Sequence, residues 1–213
     1  MNGKWLNRSL IVASLLAVLS GIGARADAGL FGFDGDSWQE EVLLHDGRKI
    51  IVRRSQTYGG RHEVGQPSPI KEHTITFTLP GSSQRITWTS EYGEDLGRTN
   101  FHLLAVHVLN GTPYLVTEPN LCLSYNKWGR PNPPYVFFKY DGTAWQRIPL
   151  EAFPTEFSTM NMAISLDTRY VREMVKRGVT TVGQIQQRNR ELPQPDFKTI
   201  LRGRCRWDRW APR

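Results

Sequence analysis

The chain has 213 residues, 39% of them hydrophobic and 22% charged, with a net charge of +7. That length and composition exclude a disordered chain and leave room for one ordinary domain with a real core. The charge sits at the ends. Residues 1–28 hold Lys4, Arg8 and Arg25 against Asp27, and residues 198–213 hold Lys198, Arg202, Arg204, Arg206, Arg209 and Arg213 against Asp208, so residues 29–197 are neutral. A basic total is therefore no sign of a basic fold, and no nucleic-acid partner is expected.

Residues 1–28 read as a secretory signal peptide. Lys4 and Arg8 precede an apolar run over 9–19, and small residues follow at Gly21, Gly23, Ala24, Ala26 and Ala28. The run is about a dozen residues, short of the roughly 20 that cross a bilayer as a helix. Cleavage can follow Ala26 or Ala28, and the second, with Gly29 as the mature start, is favoured. The expected location is the periplasm or the exterior, with no transmembrane segment after cleavage and no ATP or nicotinamide cofactor.

From Gly29 onward the pattern is one of hairpins. Residues 30–37 read as a loop. Asp46-Gly47 then lies between β-rich runs at 42–45 and 49–53, the strongest short-range hairpin signal there is. A polar loop is expected over 55–71. Residues 74–79 alternate strictly, with Ile75, Phe77 and Leu79 on one face, and Pro80-Gly81 turns them back into an alternating strand at 85–89. A long apolar strand at 101–109, an Asn110-Gly111 turn and a strand at 114–117 follow. Residues 121–125 continue the sheet in this reading, and 126–134 form a Pro-stiffened loop. Asp141-Gly142 makes another hairpin between 135–140 and 144–148.

Near Asp167 the period changes. Tyr170, Val171, Met174 and Val175 predict a short helix capped by Asp167 or Thr168 and stopped by Gly178. Thr180 or Thr181 caps a second helix that Pro193 ends. The expected fold is mainly β, an antiparallel hairpin meander closed as a sandwich or a partly open barrel, with a short C-terminal helical hairpin. Its parts are the signal at 1–28, a β-rich domain at 29–202 with helices near 168–192, and a basic Arg/Trp tail at 203–213.

Few residues suggest chemistry. Gly35-Asp36-Ser37 resembles an esterase nucleophile block, but the histidine and aspartate such a serine needs near the C-terminus are missing. His102 and His107 point to opposite faces of one strand unless a bulge intervenes, and His45 and His73 lie near turns. His62 and Glu63 sit side by side in a loop. Phosphate-loop, calcium-loop, HExxH and zinc spacings are absent, so no catalytic residue, metal or cofactor is expected.

The densest candidate is the stretch around Tyr125, Trp128 and Tyr135, aromatics among Asn126, Lys127, Arg130 and three prolines, which suit a sugar ring or an extended peptide. The competing reading is that these rings plug the end of the sheet. The tail offers Arg202, Arg204, Arg206, Trp207, Arg209 and Trp210 to an anionic membrane surface. Cys122 and Cys205, the only cysteines, most simply form one disulfide in an oxidising compartment. Closing a loop of about 84 residues stabilises by roughly 4 kcal/mol.

The wording of residues 38–52, with Asp46-Gly47-Arg48, and of 120–142 resembles an uncharacterised family of exported proteins from Gram-negative bacteria. That resemblance spans roughly 37–202 and implies export and domain extent, with no activity attached. The expected function is a non-catalytic envelope module that binds a protein partner or a glycan. The alternatives are a periplasmic hydrolase with an unrecognised site and a membrane-surface protein working through its tail.

Overall fold

The computed structural model describes residues 35–204 apart from 61, 67, 96–99, 165 and 195–196. Its elements, in chain order, are β1 (Gly35–Leu43), β2 (Lys49–Tyr58), β3 (Ile70–Thr78), β4 (Arg85–Thr89), β5 (Phe101–Leu109), β6 (Thr112–Pro119), α1 (Leu121–Lys127), β7 (Val136–Tyr140), β8 (Trp145–Ile148), α2 (Thr168–Arg177), β9 (Val179–Thr180) and α3 (Val182–Glu191).

Two sheets form, in the orders β4-β3-β2-β1-β9 and β5-β6-β7-β8. Every pairing is antiparallel except that of β9 with β1. The architecture is a sandwich and not a closed barrel. The turn signals act as their chemistry requires. Leu109 pairs with Thr112 across a two-residue turn, and Asn110 and Gly111 take the positive φ values (50° and 74°) that such a turn needs.

Three apolar layers hold the fold. Val42, Val52, Ile75, Phe77 and Trp88 of the first sheet meet Phe101, Leu103, Val106 and Phe138 of the second. Fully burying each such side chain is worth about 1.5–3 kcal/mol. The other face of the second sheet, including Leu104, Val116 and Phe137, is covered by Phe153, Phe157, Ile164, Phe197 and Ile200. With both faces buried, β5 reads as a mostly apolar run, broken only by His102 and His107, rather than an alternating one. Trp38, beyond the sandwich core on β1, packs against Tyr170, Val171 and Met174 of α2 and Ile185 of α3.

Sheet edges are closed by side chains. The Asn161 carboxamide accepts from Val106 N (3.0 Å) and donates to Val106 O (2.7 Å) and Leu43 O (3.0 Å), so one residue caps β5 and ties it to the end of β1. On the opposite side Trp145 Nε1 donates to Thr87 O of β4 at 2.8 Å.

The structure corrects the sequence reading in several places. Residues 35–37 belong to β1, β2 runs on to Tyr58 and β3 begins at Ile70, so the loops expected at 30–37 and 55–71 are shorter. Residues 121–125 do not continue the sheet. They open the helix α1, which Leu121 enters at φ 63° and in which Leu121 and Leu123 are exposed while Ser124 and Tyr125 are buried. The buried stripe of α2 is Tyr170, Val171 and Met174, and Val175 faces solvent. Both helices start as expected. Asp167 accepts from Tyr170 N, and Thr181 with Gln184 forms a reciprocal capping box. No helix among the described residues is long and apolar enough to cross a membrane.

Candidate functional site

The loop leaving α1 brings the sequence candidates to one end of the second sheet but does not present them alike. Tyr125 and Tyr135 are buried, at 4% and 3% exposure. Trp128 is half-buried. Its ring lies 4.6 Å from Phe101, with the Arg147 guanidinium 5.5 Å from its centroid. Arg147 also donates to Trp128 O at 3.2 Å. The two tyrosines thus behave as the plug of the sheet end, and of the three rings only Trp128 offers surface.

Beside them runs a feature that the sequence did not suggest, a groove of about 440 Å³ between the 131–133 loop and the 147–151 segment. Pro131, Pro133, Tyr135 and Pro149 give it an apolar floor and walls, and Arg147 and Glu151 place opposite charges along it. The Asn132–Pro133 peptide in this loop is cis. Arg147, held against Trp128, links the groove to the aromatic candidate.

A second concentration of polar groups lies on the inward face of the first sheet, where α2, α3 and the 161–166 segment replace the second sheet as cover. Glu40 (0% exposed) and Arg54 (1%) form a buried ion pair at 2.8 Å. The Glu40 carboxylate also accepts from Trp38 Nε1 at 2.7 Å and Ala163 N at 2.9 Å, while Arg54 donates to Ala163 O at 2.8 Å. Next in the same face come Gln56 and its register partner His73. Gln56 donates to Tyr58 OH, which donates in turn to the Asp36 carboxylate. Burial foremost, and then Asp36, push the Tyr58 phenol up to about 12.

His73 is fully enclosed, and among the described residues neither ring nitrogen meets a protein partner. Burial, then the Arg54 and His102 charges, hold its imidazole well below the ordinary histidine range, so it is neutral. His102 stands 6.5 Å away between ring centroids, and its Nδ1 is 3.9 Å from the Glu118 carboxylate. Arg54, His73 and His102 line a cleft of about 30 Å³. His73 lies within β3 and not near a turn, which corrects the sequence reading. A bulge between Leu103 and Ala105 does interrupt β5, yet His102 sits by His73 and His107 by Phe157. His107 stacks on Phe157 at 4.5 Å and donates from Nε2 to Thr159 O at 3.0 Å. Its imidazole is lowered to about 4, chiefly by burial.

The remaining candidates are dispersed. His62 meets Gly60 O at 2.9 Å in its loop, and His45 packs edge-on to Phe157. Ser37 accepts from Arg53 on the outer face of the first sheet. Among the described residues no group of three His, Cys, Asp or Glu side chains is placed to hold a metal. Cys122 is exposed, and Cys205 lies outside the described residues, as do Arg206, Trp207, Arg209 and Trp210. Arg204 is exposed. Arg202 is committed to structure, donating to the carbonyls of Phe153, Pro154 and Phe157.

Comparison with protein-family models, with curated proteins and with solved structures finds no match for this chain.

Proposed function

We propose that this is an exported envelope module that works by binding, taking an extended peptide segment or glycan strand of the envelope into the groove between residues 131–133 and 147–151. What supports this reading most is size. A volume of about 440 Å³ falls within the roughly 300–1,000 Å³ of ligand-binding clefts. The His73–His102 cleft, at about 30 Å³, has room for only about two waters. The groove also has the chemistry of a binding site, apolar walls with a few placed polar groups: Tyr135 and the prolines offer contact area, and Arg147 offers donors beyond those it uses on Trp128.

Export rests on the charge, apolar run and small residues of the N-terminal 28. In an oxidising compartment Cys122 and Cys205 pair, fixing the start of the tail to α1. Fractionation of cells expressing the full chain tests export: periplasmic protein beginning at Asp27 or Gly29 is expected, and intact cytoplasmic protein would refute it. Unchanged gel mobility on reduction, with two alkylatable thiols before and after, would refute the disulfide.

The groove is tested by titrating the protein with soluble peptidoglycan fragments and with a proline-rich peptide while following tryptophan fluorescence. Saturable change that Arg147→Ala weakens about tenfold supports the reading; equal binding by the variant contradicts it. A second reading, a hydrolase, is favoured by one observation, the His102–Glu118 approach with His73 behind it. Turnover of ester or amide substrates that His102→Gln abolishes would support it over the binding reading.

A further inference from the structure

Interior polar atoms in native proteins are almost always hydrogen-bonded, and each exception asks for an explanation. Three exceptions converge on one place. Arg54 Nε, His73 Nδ1 and His73 Nε2 are all buried and have no protein partner among the described residues, and both residues line the cleft that His102 also borders. Ile70, Leu103 and Leu166 supply apolar wall around them.

Charge, hydrogen-bonding pattern and size decide what fits. The Arg54 charge is neutralised at 2.8 Å by Glu40, and His102 faces Glu118. The site therefore has no surplus positive charge to hold an anion, and the Arg54 guanidinium at its wall repels a cation. A neutral imidazole presents one donor and one acceptor, and Arg54 Nε–H is a second donor. The ligand must therefore both accept and donate. A cavity needs about 10–15 Å³ for each water it holds, so the cleft's volume of about 30 Å³ matches two.

We propose that the cleft bordered by Arg54, His73 and His102 is an internal hydration site, in which two water molecules join the buried His73 imidazole and the Arg54 guanidinium to the half-exposed His102. The waters complete the hydrogen bonding of a polar tract that the apolar sandwich cannot satisfy. They also give His73 a path for proton exchange with solvent that its enclosure otherwise denies.

The test is water-oxygen magnetic relaxation dispersion on the full-length protein and on His73→Leu, which removes both imidazole nitrogens while keeping an apolar side chain of similar bulk. The long-lived water count is expected to fall by about two; an unchanged count overturns the site. Should His73→Leu fail to fold, a high-resolution crystal structure of the unsubstituted protein, with crystals soaked in bromide, decides. Two water peaks within hydrogen-bonding distance of Arg54 Nε and a His73 nitrogen are expected, without anomalous signal. A bromide peak there, or no peak at all, overturns the proposal.

Discussion

Replacing Glu40 by alanine tests the polar tract where it is most tightly built. The Glu40 carboxylate takes three hydrogen bonds, from Trp38, Arg54 and Ala163, and both members of the ion pair are at most 1% exposed. In Glu40→Ala the Arg54 charge stays buried with no carboxylate to neutralise it, facing the Ala163 carbonyl and the Trp38 ring, and the Ala163 N–H loses its acceptor. Breaking a buried pair in this way costs about 3–5 kcal/mol, against a total stability of about 5–15 kcal/mol for a domain. Removing both charges is different in kind, because no uncompensated ion remains. Glu40→Leu with Arg54→Met is expected to recover most of the loss. Urea unfolding followed by tryptophan fluorescence measures both, read as midpoint shifts at constant m-value. The reasoning fails if Glu40→Ala costs less than about 1 kcal/mol, or if the double variant is as unstable as the two single losses added together.

Asn161→Ala strips hydrogen bonds from Val106 N, Val106 O and Leu43 O at the junction of the two sheets, and is expected to cost about 3 kcal/mol in the same urea assay. Acid should destabilise through the two buried histidines, His73, held well below the usual range, and His107, lowered to about 4. Both are neutral in the fold and protonate near 6.5 when unfolded, so the penalty is absent above pH 6.5 and grows as pH falls from there toward about 4. His107→Phe should flatten that fall by up to about 1.4 kcal/mol per pH unit, and an unchanged slope would refute the assignment. Asp141 anchors the β7–β8 turn, accepting from Thr143 and Ala144 backbone N–H groups; Asp141→Ala should lower the midpoint and speed amide exchange at 142–144. Deleting residues 203–213 should abolish binding to anionic vesicles at low salt if the basic tail contacts membranes, whereas unchanged binding removes that role.

The hairpins were legible because their turns are fixed locally: Asp46-Gly47, Asn110-Gly111 and Asp141-Gly142 each determine how two strands meet. The two C-terminal helices were legible from Asp167 and Gly178 for the first and from the threonine cap and Pro193 for the second. What the sequence hid has a physical cause. At the ends of β1, β2 and β3 the inward positions are Glu40, Arg54, Gln56 and His73, so the apolar alternation that marks a strand is absent where the polar tract begins. Leu121-Cys122-Leu123 imitates a strand through its composition, and becomes helix because Ser124 Oγ accepts from Asn100 N and anchors α1 against the start of β5. The groove could not be read because residues 131–133 and 147–151 meet only once β7 and β8 have paired. The aromatic stretch lies beside the groove at the end of the second sheet, and its Tyr125 and Tyr135 are buried in the core rather than presented at the surface.

The binding reading is tested most directly by backbone amide chemical shifts of the mature protein as soluble peptidoglycan fragments, and separately a proline-rich peptide, are added. Perturbations are expected at residues 128–135 and 147–151, with those of Arg54, His73 and His102 unmoved. Shifts centred on the histidine cleft, or none with either probe at millimolar concentration, would contradict it.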